Sequence, residues 1–393
     1  MRHLSFVSLF LVGVGCSPAS GDHAGVSSGA AQAGGNGSGG APAPVLAGLP
    51  SSAGCSAGSA PLFANAICVC EELAQAGTLV TVAPSGGAAN VGVNGRSSAA
   101  TGTIIDGSYV AFGGLALAGD VKVKSDLVSA GDITGAGTLR VGHDLGGASL
   151  AFAGDLDVAG TLRVAHPTAV PTPHAGTVGP FTAPASAPCG CDPASLFDVA
   201  GAVANAALHN DDAARGFSAD GLDLLGQQDR TLTSGVYYAK SVTRVGKGKV
   251  VIDGAVKLYI DGSIVSVGEN QIVLKPGATL DLFVTGLIAT AGSVDLGDPS
   301  RPDAFRLYLG GEGSASVTAG SQSYHGLIYA PRATVAFAGV TEVVGAVFAK
   351  QLVWAGDLRV TYASGAGAAS PAECQGPSAP TPGPTTPPAG DTR

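Results

Sequence analysis

The chain has 393 residues, 61 of them Gly; 12% are charged and 5% aromatic. Gly costs about 1 kcal/mol per helix position relative to Ala, so this composition argues against a helical bundle and for short strands joined by tight turns. Net charge is −9 with Lys and Arg scattered, which argues against nucleic acid as a partner.

The chain opens "MRHLSFVSLFLVGVGC". Arg2 supplies a short positive region, and Leu4 to Val14 form an apolar run too short to span a bilayer. Residues 1–15 read as a secretory signal. The stretch resembles a bacterial lipoprotein signal ending in a lipobox, which implies lipidation of Cys16 as the mature N-terminus. It departs from that pattern at Gly13, where the family carries Leu, so an ordinary signal cut nearby is the alternative. Ser17 after the cysteine implies the outer membrane, and several acyl chains anchor firmly where one does not. Outer membrane or cell surface is the expected location, with periplasm or secretion as the alternative. Expected partners are the membrane through the lipid, and envelope polysaccharide or other surface proteins.

Residues 16–60, rich in Gly, Ser and Ala, cannot bury enough apolar surface to order themselves and read as a tether. "APLFANAICVCEELAQAG" at 60–77 predicts a short helix with Leu62, Phe63 and Ile67 on its apolar side. It opens a segment, 61–165, that is otherwise a run of short apolar alternations punctuated by Gly or Gly-Asp. "AGD" recurs at 118–120, 130–132 and 153–155, and "GTLRV" stands at both 137–141 and 160–164. Steps of about six residues beneath a 23-residue period predict a stacked repeat. In that register Leu139 lies over Leu162, and Arg140 is exposed beside Arg163.

Residues 166–190 form a Pro-rich loop. "CDPASLFDVAGAVANAALHNDDAA" then predicts a helix over 193–209, with Asp192 as N-cap and Pro193 at the first helical position. Leu196, Val199, Val203 and Ala207 make its apolar stripe. Both helices are candidate caps for the open ends of the stack, which otherwise invite self-association. Strands return in the rest of the 191–363 segment. "VKLYIDG", "LDLFVTG" and "FRLYLGG" begin at 256, 280 and 305, each with an aromatic in the same place: Tyr259, Phe283 and Tyr308. The fold expected is mainly β, a parallel β-helix (β-solenoid) of 19–25 residues per coil. Residues 364–393 form a Pro-rich tail.

Of the seven cysteines, six remain once Cys16 carries lipid: Cys55, Cys68, Cys70, Cys189, Cys191 and Cys374. In an exported chain an even number suggests disulfides. The two Cys-x-Cys motifs, at 68–70 and 189–191, are expected to pair with each other across the first repeat block, leaving Cys55 for Cys374. A four-thiolate metal site is the alternative, although zinc sites favour Cys-x2-Cys spacing.

The stretches holding "LYIDG", "GLIYAP", "GAVFAK" and the closing "VTYA" resemble a domain family of unknown function found in secreted and pilus-associated proteins of Gram-negative bacteria. The resemblance covers about residues 190–363 and implies a β-solenoid without assigned catalysis. The strand pattern is also similar in architecture to bactofilins, polymer-forming β-helical scaffolds.

Little in the chain points to chemistry. Tyr324, His325 and Tyr329 in "SYHGLIYAP" are a candidate saccharide-binding face; packing between coils is the plainer reading. His209 with Asp211 and Asp212 is either an acid–base cluster or a solvated helix end. Asp120, Asp132, Asp155 and Asp357 sit at Gly corners, where Asp satisfies turn backbone groups. No enzyme, cofactor or metal is expected. The function expected is a surface-anchored scaffold, adhesin or interaction module, with a carbohydrate-binding or polysaccharide-cleaving β-helix as the alternative.

Overall fold

A computed structural model describes residues 63–100, 102–169, 174–218, 222, 224–311 and 315–363. Cys16, Cys55 and Cys374 lie outside them. The described part is mainly β. The first nine strands are β1 (Ile67–Val82), β2 (Val91–Val93), β3 (Arg96–Ala99), β4 (Thr103–Ile105), β5 (Tyr109–Ala111), β6 (Leu115–Val123), β7 (Leu127–Val141), β8 (Leu145–Ala169) and β9 (His174–Gly179). Helices α1 (Val199–Leu208) and α2 (Asp212–Arg215) follow. The second run is β10 (Leu224–Ala239), β11 (Val242–Ile260), β12 (Ile264–Leu274), β13 (Thr279–Val284), β14 (Ile288–Gly297), β15 (Phe305–Leu309) and β16 (Ala315–Tyr362).

These strands form one sheet of parallel pairings. Each lies beside a stretch one step further along the chain. Gly119, Gly137 and Gly154 are neighbours, as are Val242, Ile264, Ile288 and Ser316. Long strands change partners where they bend. Residues 242–252 of β11 pair with β12, and 255–260 with β13, with Gly254 between at φ 116°. Through such bends β11, β13, β15, β16, β14 and β12 close a ring of pairings.

Spatial order differs from chain order. β1 pairs along β16, from Ile67 with Val347 to Val82 with Thr361. The N-terminal block therefore stacks on the last strand of the C-terminal block, and the sheet runs β10 to β16, then β1 to β9. One bend recurs through most of this sequence as a column of glycines: Gly246, Gly268, Gly292, Gly320, Gly339, Gly356 and Gly77. At Gly292, φ is 115°, and a Cβ would collide with the carbonyl of Gly268. Only glycine takes this backbone so close to another.

The main core lies inside the bends and is built from alternate strand residues such as Leu73, Val121, Leu139, Leu156, Leu258, Leu307 and Leu358. The sequence register fails here in an informative way. Leu139 faces Leu156 and Arg140 faces Asp157, while Leu162 pairs with Val178. The neighbour of "AGTLRV" is "AGDLDV" at 153–158, which sets an acid beside Arg140 in place of a second Arg.

Two helix expectations need correction. Residues 67–82 form β1, because parallel partners on both edges outweigh the local helix preference of "EELAQA". The second helix starts at Val199, capped by Asp198, whose carboxylate accepts from the Gly201 N–H at 3.0 Å. Asp192 instead closes a turn, accepting from the Ser195 N–H. Ala206 rather than Ala207 completes the buried stripe.

Nor is α1 an end cap; it belongs to a strap laid across one outer face of the sheet. Phe181 packs against Gly146, and Pro188 and Cys189 against Gly92. Disulfides join Cys68 to Cys189 and Cys70 to Cys191. The Phe197 N–H donates to the Tyr329 hydroxyl. At the far end the Asp211 N–H donates to the Val236 carbonyl at 2.8 Å. Beyond it, Phe217 and Leu222 enter the main core, with the Phe217 ring 5.2 Å from Tyr237.

Candidate functional site

The proposed ligand face of Tyr324, His325 and Tyr329 does not form. Tyr324 is buried in the main core and Tyr329 in a second cluster under the strap, so the two rings lie in separate clusters. His325 lies between them, its side chain mostly buried and Nε2 3.4 Å from Asp295. Burial pushes the Tyr324 hydroxyl well above its usual range, and that of Tyr329 up to about 12.

The repeated aromatics do line up. Tyr259, Phe283, Tyr308 and Tyr329 occupy one register position in successive strands. Phe283 stacks 4.5 Å from Tyr259 and 4.6 Å from Tyr308, the planes within 9° of parallel. Such a column on an open face would suit a sugar ring. Here Leu196, Phe197, Val199 and Val203 of the strap cover it, and Phe283 is fully buried. The column holds the strap down.

His209, Asp211 and Asp212 resolve as a helix end. The His209 N–H closes α1 on the Asn205 carbonyl, and Asp211 and Asp212 accept from the N–H groups of Val236 and Tyr238. Among the described residues no group of three or more His, Cys, Asp or Glu is placed to hold a metal ion. The four central cysteines are consumed as disulfides.

One concave site, apolar in most of its lining with charged groups at its mouth, is missed by sequence reading. A groove of about 300 Å³ is lined by Glu72 and Leu73 of β1, Arg96 to Ser98 of β3, Gly114 to Ala116, and Asp132 and Thr134 of β7. Parallel pairing builds it: Glu72 faces Arg96, and Asp132 faces Ser149. Ser97 donates its backbone N–H to Gly114, which places that glycine between Arg96 and Asp132. A Cβ on Gly114 would approach only the Asp132 carbonyl, at 3.5 Å, so the missing side chain is what opens the groove. Bulges after Val69 and Ser129 turn Glu72 and Asp132 outward. The Ser149 hydroxyl donates to Asp132 at 2.6 Å. Below, buried Ser97 meets the Tyr109 hydroxyl. The mouth thus offers one guanidinium between two carboxylates, with hydroxyls at Ser98 and Thr134. "EEL" and "GGL" give no spacing by which to foresee it, because its residues meet only through pairing between rows.

Residues 192–365 match the family model described as a domain of unknown function, DUF7305. No curated protein and no solved structure matches the chain. The matched segment begins just after Cys191, and so comprises the strap helix and β10 to β16; the groove lies outside it. Among the described residues no helix is long and apolar enough to cross a membrane.

Proposed function

We propose that the protein is an exported bacterial β-solenoid lipoprotein, anchored through Cys16 at the outer membrane or cell surface. It acts without catalysis as a scaffold, adhesin or interaction module. In this reading each step of the parallel sheet is one coil. The observation that carries it is the junction of β1 with β16. Phe63 and Ala363, the first and last described residues, flank one coil, where the Tyr362 hydroxyl donates to the Phe63 carbonyl at 2.6 Å. The described body thus begins and ends at this junction, away from β9 and β10, each of which has one pairing partner among the described residues. The two disulfides fit export, since they persist in oxidising compartments. The test is labelling with palmitate: wild type incorporates it and Cys16→Ala does not, and intact cells expose the wild-type protein to antibody. Equal incorporation by the two would remove the anchor from this reading.

A second reading, carbohydrate binding, rests on the Glu72–Arg96–Asp132 groove. Its hydroxyls and its surplus of carboxylates suit a neutral hydroxylated chain, with Glu72 and Asp132 accepting from sugar hydroxyls and Arg96 donating to a ring or hydroxyl oxygen. Oligosaccharide titration followed by NMR should shift the Arg96 side-chain signal, and Arg96→Ala should abolish binding. Silence across a glycan array, with polysaccharides left uncleaved, would dismiss it.

A further inference from the structure

The glycine column marks a bend whose inner side is unlike the rest of the core. Two residues before each glycine, Arg244, Ser266, Thr290 and Thr318 lie in register. Two residues after, Gly248, Asn270, Val294 and Gln322 lie in register. Arg244 is 6% exposed, Ser266 4% and Asn270 3%. Further along the column the positions before the glycine become apolar, with Phe337 preceding Gly339 and Trp354 preceding Gly356, while Thr341 after Gly339 is still a buried hydroxyl. The charged member of this inner file, Arg244, stands at the end nearest β10.

The file's first members are unsatisfied. Among the described residues, Arg244 Nε and Nη2, Ser266 Oγ, and both side-chain atoms of Asn270 are buried without a hydrogen-bond partner. Buried polar groups without partners are rare, and a buried charge without one is costlier still. The guanidinium reaches across the bend toward Gly248, where a Cβ would stand 2.8 Å from Nη2. Glycine at 248 therefore makes room for it. Arg244 and Ser266 face each other in adjacent strands, as do Gly248 and Asn270, each pair about 4.8 Å apart. Two guanidinium N–H groups, a hydroxyl and an amide NH₂ are so gathered within one bend, carrying a net positive charge. Asp229, the acid whose charge acts on Arg244, is itself exposed.

We propose that this bend is a structural binding site for a small inorganic anion of halide size, held by Arg244 Nε and Nη2, Ser266 Oγ and Asn270 Nδ2. An anion answers the buried charge as well as the donors, with the Asn270 amide presenting Nδ2 to it and Oδ1 turned away; water brings no charge to offset the guanidinium. The site would lock the end coil nearest β10 and lies far from the groove in sequence and row order.

The test uses the full chain in halide-free buffer at constant ionic strength, with bromide titrated in. A ligand bound only by the folded state raises the folded-to-unfolded ratio about 100-fold at 100 times its Kd, so Tm should climb with bromide and saturate. Ser266→Ala should weaken the response and Arg244→Met abolish it. Should Arg244→Met fail to fold, Asn270→Asp supplies the negative charge from within; it should fold without halide and lose the bromide response. Bromide-soaked crystals should show an anomalous peak among the three side chains. A wild-type Tm indifferent to bromide, a response retained in Asn270→Asp, or water alone at that position would overturn the proposal.

Discussion

Tyr109 shows what single residues contribute to this stack. Burial lifts its hydroxyl from 10.0 to about 12, against the opposing pull of Ser97. Tyr329 stands at about 12 for the same reason, and Tyr324 is raised as well. A raised pKa means that the folded state holds its proton more tightly. The contributions of Tyr109 and Tyr329 are therefore complete below pH 10 and lost as pH rises through about 12. These phenolates should appear together with unfolding between pH 10 and 12, read as absorbance at about 295 nm alongside circular dichroism, and Tyr109→Phe should move that transition to higher pH. Smooth ionisation of all eight tyrosines near pH 10 with the fold intact would contradict this. The sequence shows the letters Tyr324 and Tyr329 close together, yet not that one ring enters the main core and the other the cluster under the strap. Likewise Arg140 was legible as exposed, and its partner was misplaced because "GTLRV" is a commoner word than any one row.

At the scale of elements, the strap is the part best foreseen and the part most open to test. Two Cys-x-Cys motifs suffice to suggest a cross-pair, because strain within each motif leaves the other as partner. The helix was legible from its stripe, though its start was read six residues early; "DPAS" closes a turn of its own before Asp198 caps the helix. β1 was misread because its bulge exposes Glu71 and Glu72 together, breaking the alternation that announces a strand. Each disulfide closes a separation of 121 residues. In the chain-entropy account, closing a loop this long contributes about 5 kcal/mol, and the second bridge beside it adds little, so losing both lowers stability by about 5 kcal/mol. Urea titrations with and without reductant should show a loss of that size, and replacing all four cysteines with Ala should reproduce it. The strap should release first, uncovering Phe283 and Tyr308, so dye binding and near-ultraviolet dichroism should change before the strand signal. Coincident loss of both signals would mean that the strap and sheet are one cooperative unit.

For the whole molecule, β content and parallel stacking were readable from short alternating words ending at glycine. The order of the rows was not. "AGDLRV" at 355–360 lies beside "AGTLVT" at 76–81, and any of several similar words would have satisfied the same pattern. What selects the pairing is the completed edge of β16, whose Val347, Leu352, Trp354 and Leu358 are all buried beside β1. The matched segment 192–365, made alone, lacks β1 and presents that edge bare. It should associate on sizing with light scattering, whereas a chain that includes residues 63–191 should stay dispersed. A monodisperse 192–365 segment would show that the edge needs no cover.

The same junction governs timing. Thr78 bonds Asp357, 279 positions later, so one edge of β1 meets its partner only after nearly all the body has been made, while the other pairs with β2, β3 and β4 close behind it. Until then that edge of β1 is bare, although Cys189 and Cys191 are already on hand for the cysteines at 68 and 70. Maturation of this protein is therefore a closing step that waits for the last strand, and holdases should affect its yield more than those of chains whose rows are laid down in order.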